Sequence, residues 1–189
     1  QILFPMITVP DEIDAARDLI AREVDFANRR GKPLPSEIRV GAMIETPAAA
    51  WRIDDIAARV DFLSIGGNDL AQFYFAADRD AEMTQRRFDP LDAGFLSFIA
   101  RLAEAADRAG KPLTFCGEQA ADPLMGAALI GAGLRRFSAP ASAIGPFRRL
   151  LRSINAAGVA EWLEGPARVK SPVRREFAKY LAEDGVQLP

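Results

Sequence analysis

The chain has 189 residues, 49% of them hydrophobic and 26% charged, enough apolar content for a sizeable core in a globular domain. Against 26 acidic residues stand 24 basic ones, a net charge of −2, so no basic field points to nucleic acid or to an anionic membrane surface. The absence of histidine and a single cysteine, Cys116, exclude Ser-His-Asp and Cys-His catalysis, histidine-containing metal sites and an intramolecular disulfide.

In chain order, ILFPMI at 2–7 reads as the first strand. DEIDAARDLIAREVDFANRR follows as a helix with Ile13, Ala16, Leu19, Ile20 and Val24 on one face and Asp11 and Glu12 at the favoured N-terminal end. IRVGAMIE at 38–45 is the second strand. In TPAAAWRIDDIAARV, Thr46 is a candidate N-cap and Pro47 suits the first helical turn. VDFLSIG at 60–66 is the third strand, with Phe62, Leu63, Ser64 and Ile65 expected to face apolar neighbours on both sides. Gly66 and Gly67 then allow a turn or a close backbone approach, and Asn68 and Asp69 stand where a helix begins.

PLDAGFLSFIARLAEAADRAGK reads as a long helix stopped at Gly110, its stripe of Phe95, Leu96, Phe98 and Ile99 expected in the core. PLTFCGE at 112–118 and RRFSAP at 135–140 are the fourth and fifth strands, and DPLMGAALIGAGL and GPFRRLLRSINAAG supply two more helices. Trp51 and Phe73 are expected to pack in the core or at a barrel rim, and Arg86 and Arg87 at the surface. The charged stretch from Asp78 to Asp92 is a candidate lid.

Strand and helix alternation means α/β with a parallel sheet. A closed eight-stranded βα barrel usually needs about 250 residues. This chain is shorter and opens on a strand without an initiator Met. It reads as an incomplete (β/α)8 TIM-type barrel, about its last five βα units, over 1–155, followed by a C-terminal helical tail over 156–189. The alternative is an open doubly wound sheet, complete as it stands. The tail, with its linker GPARVKSP, is expected to cap the barrel or contribute to an interface.

Parallel strands present their C-terminal ends on one face, which collects Glu45, Asn68, Asp69, Cys116, Gly117 and Glu118 around one opening. Without histidine, a metal there would be a hard cation held by carboxylates, in practice magnesium or manganese. Glu45 and Asp69 are two candidate carboxylates for one Mg²⁺. Backbone N–H groups at Gly67, Asn68 and Asp69 form a candidate anion site at a helix N-terminus. Each residue also has a plainer reading: an ion pair for Glu45, an Asx-capped turn for the Gly-Gly-Asn-Asp run, a small buried hydrophobe for Cys116. Three successive strand ends carrying such groups favour the functional one.

MIETPAAA (43–50), FLSIGGNDLAQFYFAADRD (62–80) and CGEQAADP (116–123) resemble the motifs of phosphoenolpyruvate-utilising enzymes, and within them enzyme I of the bacterial phosphotransferase system. FPMI at 4–7 and FSAPASAIGPFRRLLRSI at 137–154 also fit, and the tail ending in DGVQLP leans towards the nitrogen-related form. The resemblance implies a (β/α)8 barrel that binds phosphoenolpyruvate and Mg²⁺, passes the phosphoryl group to a histidine on another domain of the same full-length protein and thence to a downstream phosphocarrier protein, and releases pyruvate. By motif, Glu45 and Asp69 match magnesium ligands, Asn68, Asp69 and Arg79 bind substrate, and Cys116 is the catalytic residue that exchanges a proton with the enolpyruvate methylene. A free thiol, with an ordinary pKa of about 8.5, can donate at neutral pH.

Two departures stand out. Gly67 occupies a position where the family commonly has threonine, which implies a lost hydroxyl contact and a looser loop, and Asp80-Ala81 replaces a usual Gly-Asn. Further phosphate-binding arginines come from earlier barrel strands in the family, so this chain alone is expected not to complete the reaction. The competing readings are a Mg²⁺-dependent aldolase or lyase of the citrate-lyase β or HpaI type, which also carries an IET-like strand end and a G-x-N-D-L turn, and a non-catalytic dimerisation or regulatory module. CGEQAADP favours phosphoenolpyruvate, because the aldolases are not expected to use a thiol donor. The exposed sheet edges of an incomplete barrel imply a homo-oligomer. No membrane span, no secretory signal and a lone cysteine make the cytoplasm the expected compartment.

Overall fold

The computed structural model describes residues 1–78, 88–168 and 172–186. Five strands, β1 (Ile2–Phe4), β2 (Val40–Ile44), β3 (Phe62–Gly66), β4 (Leu113–Cys116) and β5 (Phe137–Ser138), form one sheet. Their order is sequential and every neighbouring pair is parallel. A doubly wound sheet reverses its order at a switch point; this one does not, so that alternative is set aside. Sequential parallel βα units are what an incomplete (β/α)8 barrel contains.

The helices are α1 (Pro10–Arg29), α2 (Pro47–Trp51), α3 (Ile53–Ala57), α4 (Gly67–Tyr74), α5 (Ala93–Arg108), α6 (Pro123–Gly131), α7 (Ala141–Ser153), α8 (Ala156–Glu164) and α9 (Val173–Glu183), with short 3₁₀ turns at Glu118–Ala121 and Pro166–Arg168. Local chemistry sets their ends. The Glu12 carboxylate accepts the N–H groups of Val9 and Thr8, which hold it below the ordinary carboxylate range and start α1. Thr46 accepts from Ala49 N–H at 3.1 Å and begins α2 behind Pro47. Asp92 does the same for α5 through Phe95 N–H at 2.9 Å. At the other end of α5, Gly110 adopts φ +63° and Lys111 N–H returns to Ala106 C=O at 2.9 Å, the stop expected of that glycine.

The two faces of the sheet differ. Register places Ala42, Ile44, Leu63, Ile65 and Phe115 on one side, and all are fully buried beneath the helices. The other side carries Met43, Ser64, Thr114 and Cys116, and of these only Ser64 is buried. The expectation of apolar neighbours on both faces holds only in part: alternation gives β3 one fully apolar buried face and one mixed face, where Met43 and Phe62 stand beside Ser64, Thr114 and Cys116. At the opposite end of the strands, Asp61 accepts Val40 N–H at 2.7 Å and pairs with Arg17 from α1. The Val40 N–H in first place, and Arg17 after it, hold the Asp61 carboxyl below its usual range against the opposing effect of burial.

Three further expectations are corrected. The helix from Thr46 is split at Arg52 into α2 and α3. Trp51, expected in the core or at a rim, is 84% exposed, and Phe73 is also exposed. Leu19 on α1 is 52% exposed, because that helix buries only Pro10 and Ile13, a narrower strip than its apolar periodicity offered. The long stripe on α5 is core as expected, with Phe95, Leu96 and Ile99 buried and Phe98 packed against them.

The tail lies against the helical layer. Gly131 of α6 sits so close to Val159 of α8 that a Cβ there would stand 2.4 Å from Val159 Cγ1, and Trp162, Phe177 and Tyr180 stack behind it within the same apolar cluster. Among the described residues, no helix is long and apolar enough to cross a membrane.

Candidate functional site

The C-terminal ends of β2, β3 and β4 lie side by side at one edge of the sheet. Glu45, the residue after β2, is only 3% exposed. Its Oε1 accepts the Met6 N–H at 2.6 Å, and Met6 holds a left-handed φ of +54° to make that contact. Such a backbone is costly for a side-chain-bearing residue and persists where its surroundings impose it. Next door, Thr46 Oγ1 donates to Ile7 C=O at 2.8 Å, so the link after β1 is fastened to the end of β2 twice. The other oxygen, Oε2, lies against Gly66, where an added Cβ would meet it at 2.2 Å. Gly66 is thus required by the carboxylate beside it.

Gly67 opens α4, and its N-cap, Gly66, has no side chain to occupy the first-turn N–H groups. A Cβ at Gly67 would stand 2.3 Å from Phe115 Cζ and 3.0 Å from Gln119 Oε1. The looser loop implied by losing a threonine is therefore not what packing gives: the fully buried ring of Phe115 occupies the space. Asn68 and Asp69 follow, both half-buried in the first turn of α4. Asn68 Oδ1 accepts the Glu118 N–H at 3.2 Å, tying the turn after β3 to the turn after β4. Gly117 between them adopts φ +133°, and a Cβ there would stand 2.9 Å from the same Oδ1, so glycine is needed both for the backbone and for the approach.

Cys116 ends β4 on the mixed face, in register with Gly66. Its thiol donates to Ile65 C=O at 3.2 Å and accepts from Ser64 Oγ at 3.4 Å. Two weak hydrogen bonds hold the sulfur in one orientation at the rim. Arg79, together with Asp80, Ala81, Arg86, Arg87 and most of the candidate lid, lies outside the described residues.

The structure brings Met6, Glu45, Ser64, Gly66, Asn68, Cys116 and Gln119 together at the C-terminal ends of the strands. Three of the contributors were not singled out from sequence. Ser64 was legible from strand alternation, since it is two residues before Gly66 and therefore on the same face. The Met6 N–H and Gln119 had no sequence signal, because a backbone donor has no residue identity and an amide three residues past a strand end is common.

Among the described residues, no group of three or more His, Cys, Asp or Glu side chains gathers into a metal centre. Mg²⁺ asks for less, commonly one or two carboxylates with water and substrate oxygens completing the shell. Two observations fit that demand. Glu45 is a nearly buried carboxylate that accepts a neutral backbone N–H among the described residues, and a cation beside it would balance its charge. Gln119 Oε1 is buried with no hydrogen-bond partner among the described residues, and it faces Gly67. The donor set is all oxygen, as a hard cation requires.

Residues 1–156 match the family described as PEP-utilising enzyme, PEP-binding domain. A phosphoenolpyruvate-protein phosphotransferase of Bacillus sp. (strain S) is 38% identical over 173 residues, 92% of this chain and 29% of that protein. A protein of Escherichia coli (strain K12) named phosphoenolpyruvate-dependent phosphotransferase system is 35% identical over 190 residues, 98% of this chain and 25% of that protein. The chain thus spans under a third of the length of these relatives. The structure also aligns with a citrate lyase from Burkholderia xenovorans LB400 over 99% of this chain and 65% of that one, at 18% identity and a TM-score of 0.49, a likeness too slight to carry an argument.

Proposed function

The chain belongs to the PEP-binding domain family of PEP-utilising enzymes, and from that membership we propose that it binds phosphoenolpyruvate with Mg²⁺ and serves phosphoryl transfer to a histidine on another domain. The observation that carries this reading is the buried Glu45 carboxylate, seated against Gly66 beside the open N-terminus of α4. A carboxylate so enclosed suits a cation, and N–H groups at a helix start without a capping side chain suit an anion. A metal-bound phosphorylated acid supplies both charges.

Glu45 and Asp69 would hold the ion, with Asn68 and Arg79 on the phosphoryl oxygens. Mg²⁺, when bound, would neutralise charge on the phosphoryl group and the enol oxygen. The bond between phosphorus and the enol oxygen breaks, and the phosphoryl group goes to the histidine nitrogen. The enolate left behind takes the Cys116 Sγ proton at its methylene carbon. A C–H bond forms, the S–H bond breaks, pyruvate leaves, and water returns the proton to the thiolate. The bonds from Ser64 and to Ile65 support this role, because they fix where the thiol stands. That orientation also favours the phosphoryl reading over the lyase alternative, whose chemistry has no use for a thiol at this strand end.

The finer proposals follow from the same reading. The acceptor histidine belongs to the full-length protein, which passes the group to a downstream phosphocarrier in the cytoplasm. The exposed Ile2 and Leu3 on β1, with Met6 and Val9 in the link after it, support the expectation that this edge is covered, with self-association as the proposed means.

Incubating the full-length protein with phosphoenolpyruvate and Mg²⁺ tests the reaction. The expected result is stoichiometric pyruvate and an acid-labile, base-stable phosphoryl group on the protein, both lost with a chelator. Pyruvate without protein-bound phosphate, or lyase products from hydroxy acids, would sink the proposal.

A further inference from the structure

We propose that Arg174, in the C-terminal tail, is a positioning residue that clamps together the two segments carrying the site's chemistry. Arg174 stands in the first turn of α9. Its Nε donates to Asp89 Oδ2 at 2.6 Å and its Nη2 to Asp89 Oδ1 at 2.9 Å, a two-pronged fork. The remaining arm, Nη1, donates to Asp122 Oδ2 at 2.7 Å. The partners lie 85 and 52 residues away in sequence, so one guanidinium joins three distant pieces of chain.

What those two carboxylates terminate gives the clamp its meaning. Phe75 and Phe88, which flank the stretch that carries Arg79 in sequence, stack with centroids 5.3 Å apart. Asp89 is the next residue, and its Oδ1 also accepts Leu91 N–H at 3.0 Å. Asp122 ends the turn that begins at Cys116 and Gly117, and its Oδ1 caps α6 through Leu124 N–H at 3.0 Å. Each carboxylate therefore has one oxygen or lone pair shaping its own loop end and another held by Arg174. The segment after β3 and the segment after β4 are set at a fixed spacing by a residue of neither.

Charge and geometry agree with that role. Burial alone would raise the Asp89 carboxyl, but the Arg174 hydrogen bonds and the Leu91 N–H outweigh it and hold the group below the ordinary carboxylate range. A planar guanidinium offers its donors as a rigid fork that matches a carboxylate, whereas the three donors of an ammonium rotate about a flexible stem. The bidentate fork and its extension to Asp122 stabilise these loop ends more than an isolated surface pair would, though the partial exposure of all three side chains keeps that contribution modest. Positioning is different, because misplacement of about 1 Å can cost about a hundredfold in rate.

The clamp rests on the reading above only for its catalytic consequence, so two measurements separate the claims. Hydrogen exchange on the Arg174→Ala full-length protein reads the clamp directly. Faster exchange is expected at both Leu91 and Leu124 with helices elsewhere unchanged, and wild-type protection at either would overturn the clamp whatever the protein does. Steady-state kinetics with phosphoenolpyruvate and Mg²⁺ reads the consequence. A fall in kcat of about tenfold or more is expected for Arg174→Ala, with Arg174→Lys recovering only part of it and Asp122→Asn adding no full second loss to Arg174→Ala. Wild-type kcat in Arg174→Ala, or complete rescue by lysine, would overturn the positioning role. A wild-type protein inert towards phosphoenolpyruvate would instead defeat the functional reading, leaving the exchange result to decide the clamp.

Discussion

Replacing Cys116 with serine is expected to slow pyruvate formation by the full-length protein by about 10²–10⁴-fold, the usual worth of a positioned general acid, while affinity for phosphoenolpyruvate stays at the wild-type value. Serine is close in size to cysteine and can accept from Ser64 and donate to Ile65 as the thiol does at 3.4 and 3.2 Å. The fold and the opening are therefore preserved. What changes is acidity, since a hydroxyl gives up its proton far less readily than a thiol. A coupled pyruvate assay beside a calorimetric titration separates the two quantities. Loss of binding and rate together would make Cys116 a packing residue, and an unchanged rate would remove it from the chemistry.

The second large effect is expected at Gly66, a residue with no functional group. Alanine there would set a Cβ 2.2 Å from Glu45 Oε2 and 2.8 Å from Glu45 Cβ. The oxygen could swing away, but the stem of the side chain also has to move, and Glu45 is nearly buried. Gly66→Ala should therefore displace the carboxylate from its place beside Met6 and weaken Mg²⁺-dependent binding of phosphoenolpyruvate by about a hundredfold. Overpacking a tight site typically costs about 1–3 kcal/mol, so the protein should still fold with a lowered Tm. A variant that folds and binds with wild-type affinity would show that Glu45 need not sit where it does.

Much of this architecture was legible in the chain. The five apolar runs became five strands, and Thr46 and Gly110 acted as the cap and the stop that their chemistry suggested. These features are local: a hydroxyl three residues before an amide, or a glycine free to take positive φ, needs no distant partner. What was misread depends on partners elsewhere. Leu19 and Trp51 are apolar, but whether they are covered is set by what packs beside α1 and α2, which periodicity does not state. The helix expected through GPFRRLLRSINAAG breaks because Ile154 turns extended and Asn155 caps a new helix through Gly158 N–H at 3.2 Å. Asparagine in such a run is easily taken for a helix interior residue.

The site divides in the same way. Glu45, Asn68, Asp69 and Cys116 were collected by one rule, that parallel strands end on one face. The supporting contacts escaped it. Met6 contributes a backbone N–H, Phe115 fills the space at Gly67 from the next strand, and Arg174 reaches Asp89 and Asp122 from the tail. Each is a contact across 39 or more residues of sequence. No pattern in the intervening residues encodes such distances; only the folded sheet brings them together.

The most direct test of the central claim is a calorimetric titration of phosphoenolpyruvate into the full-length protein, with Mg²⁺ and with a chelator, repeated on Glu45→Gln. Glutamine keeps the shape and can still accept the Met6 N–H, so only the charge offered to a cation is removed. Saturable binding is predicted for the wild type with Mg²⁺ alone, and a loss of about a hundredfold or more in affinity for Glu45→Gln. Equal binding in the presence of the chelator, or by Glu45→Gln, would contradict a Mg²⁺-assisted phosphoenolpyruvate site at these strand ends.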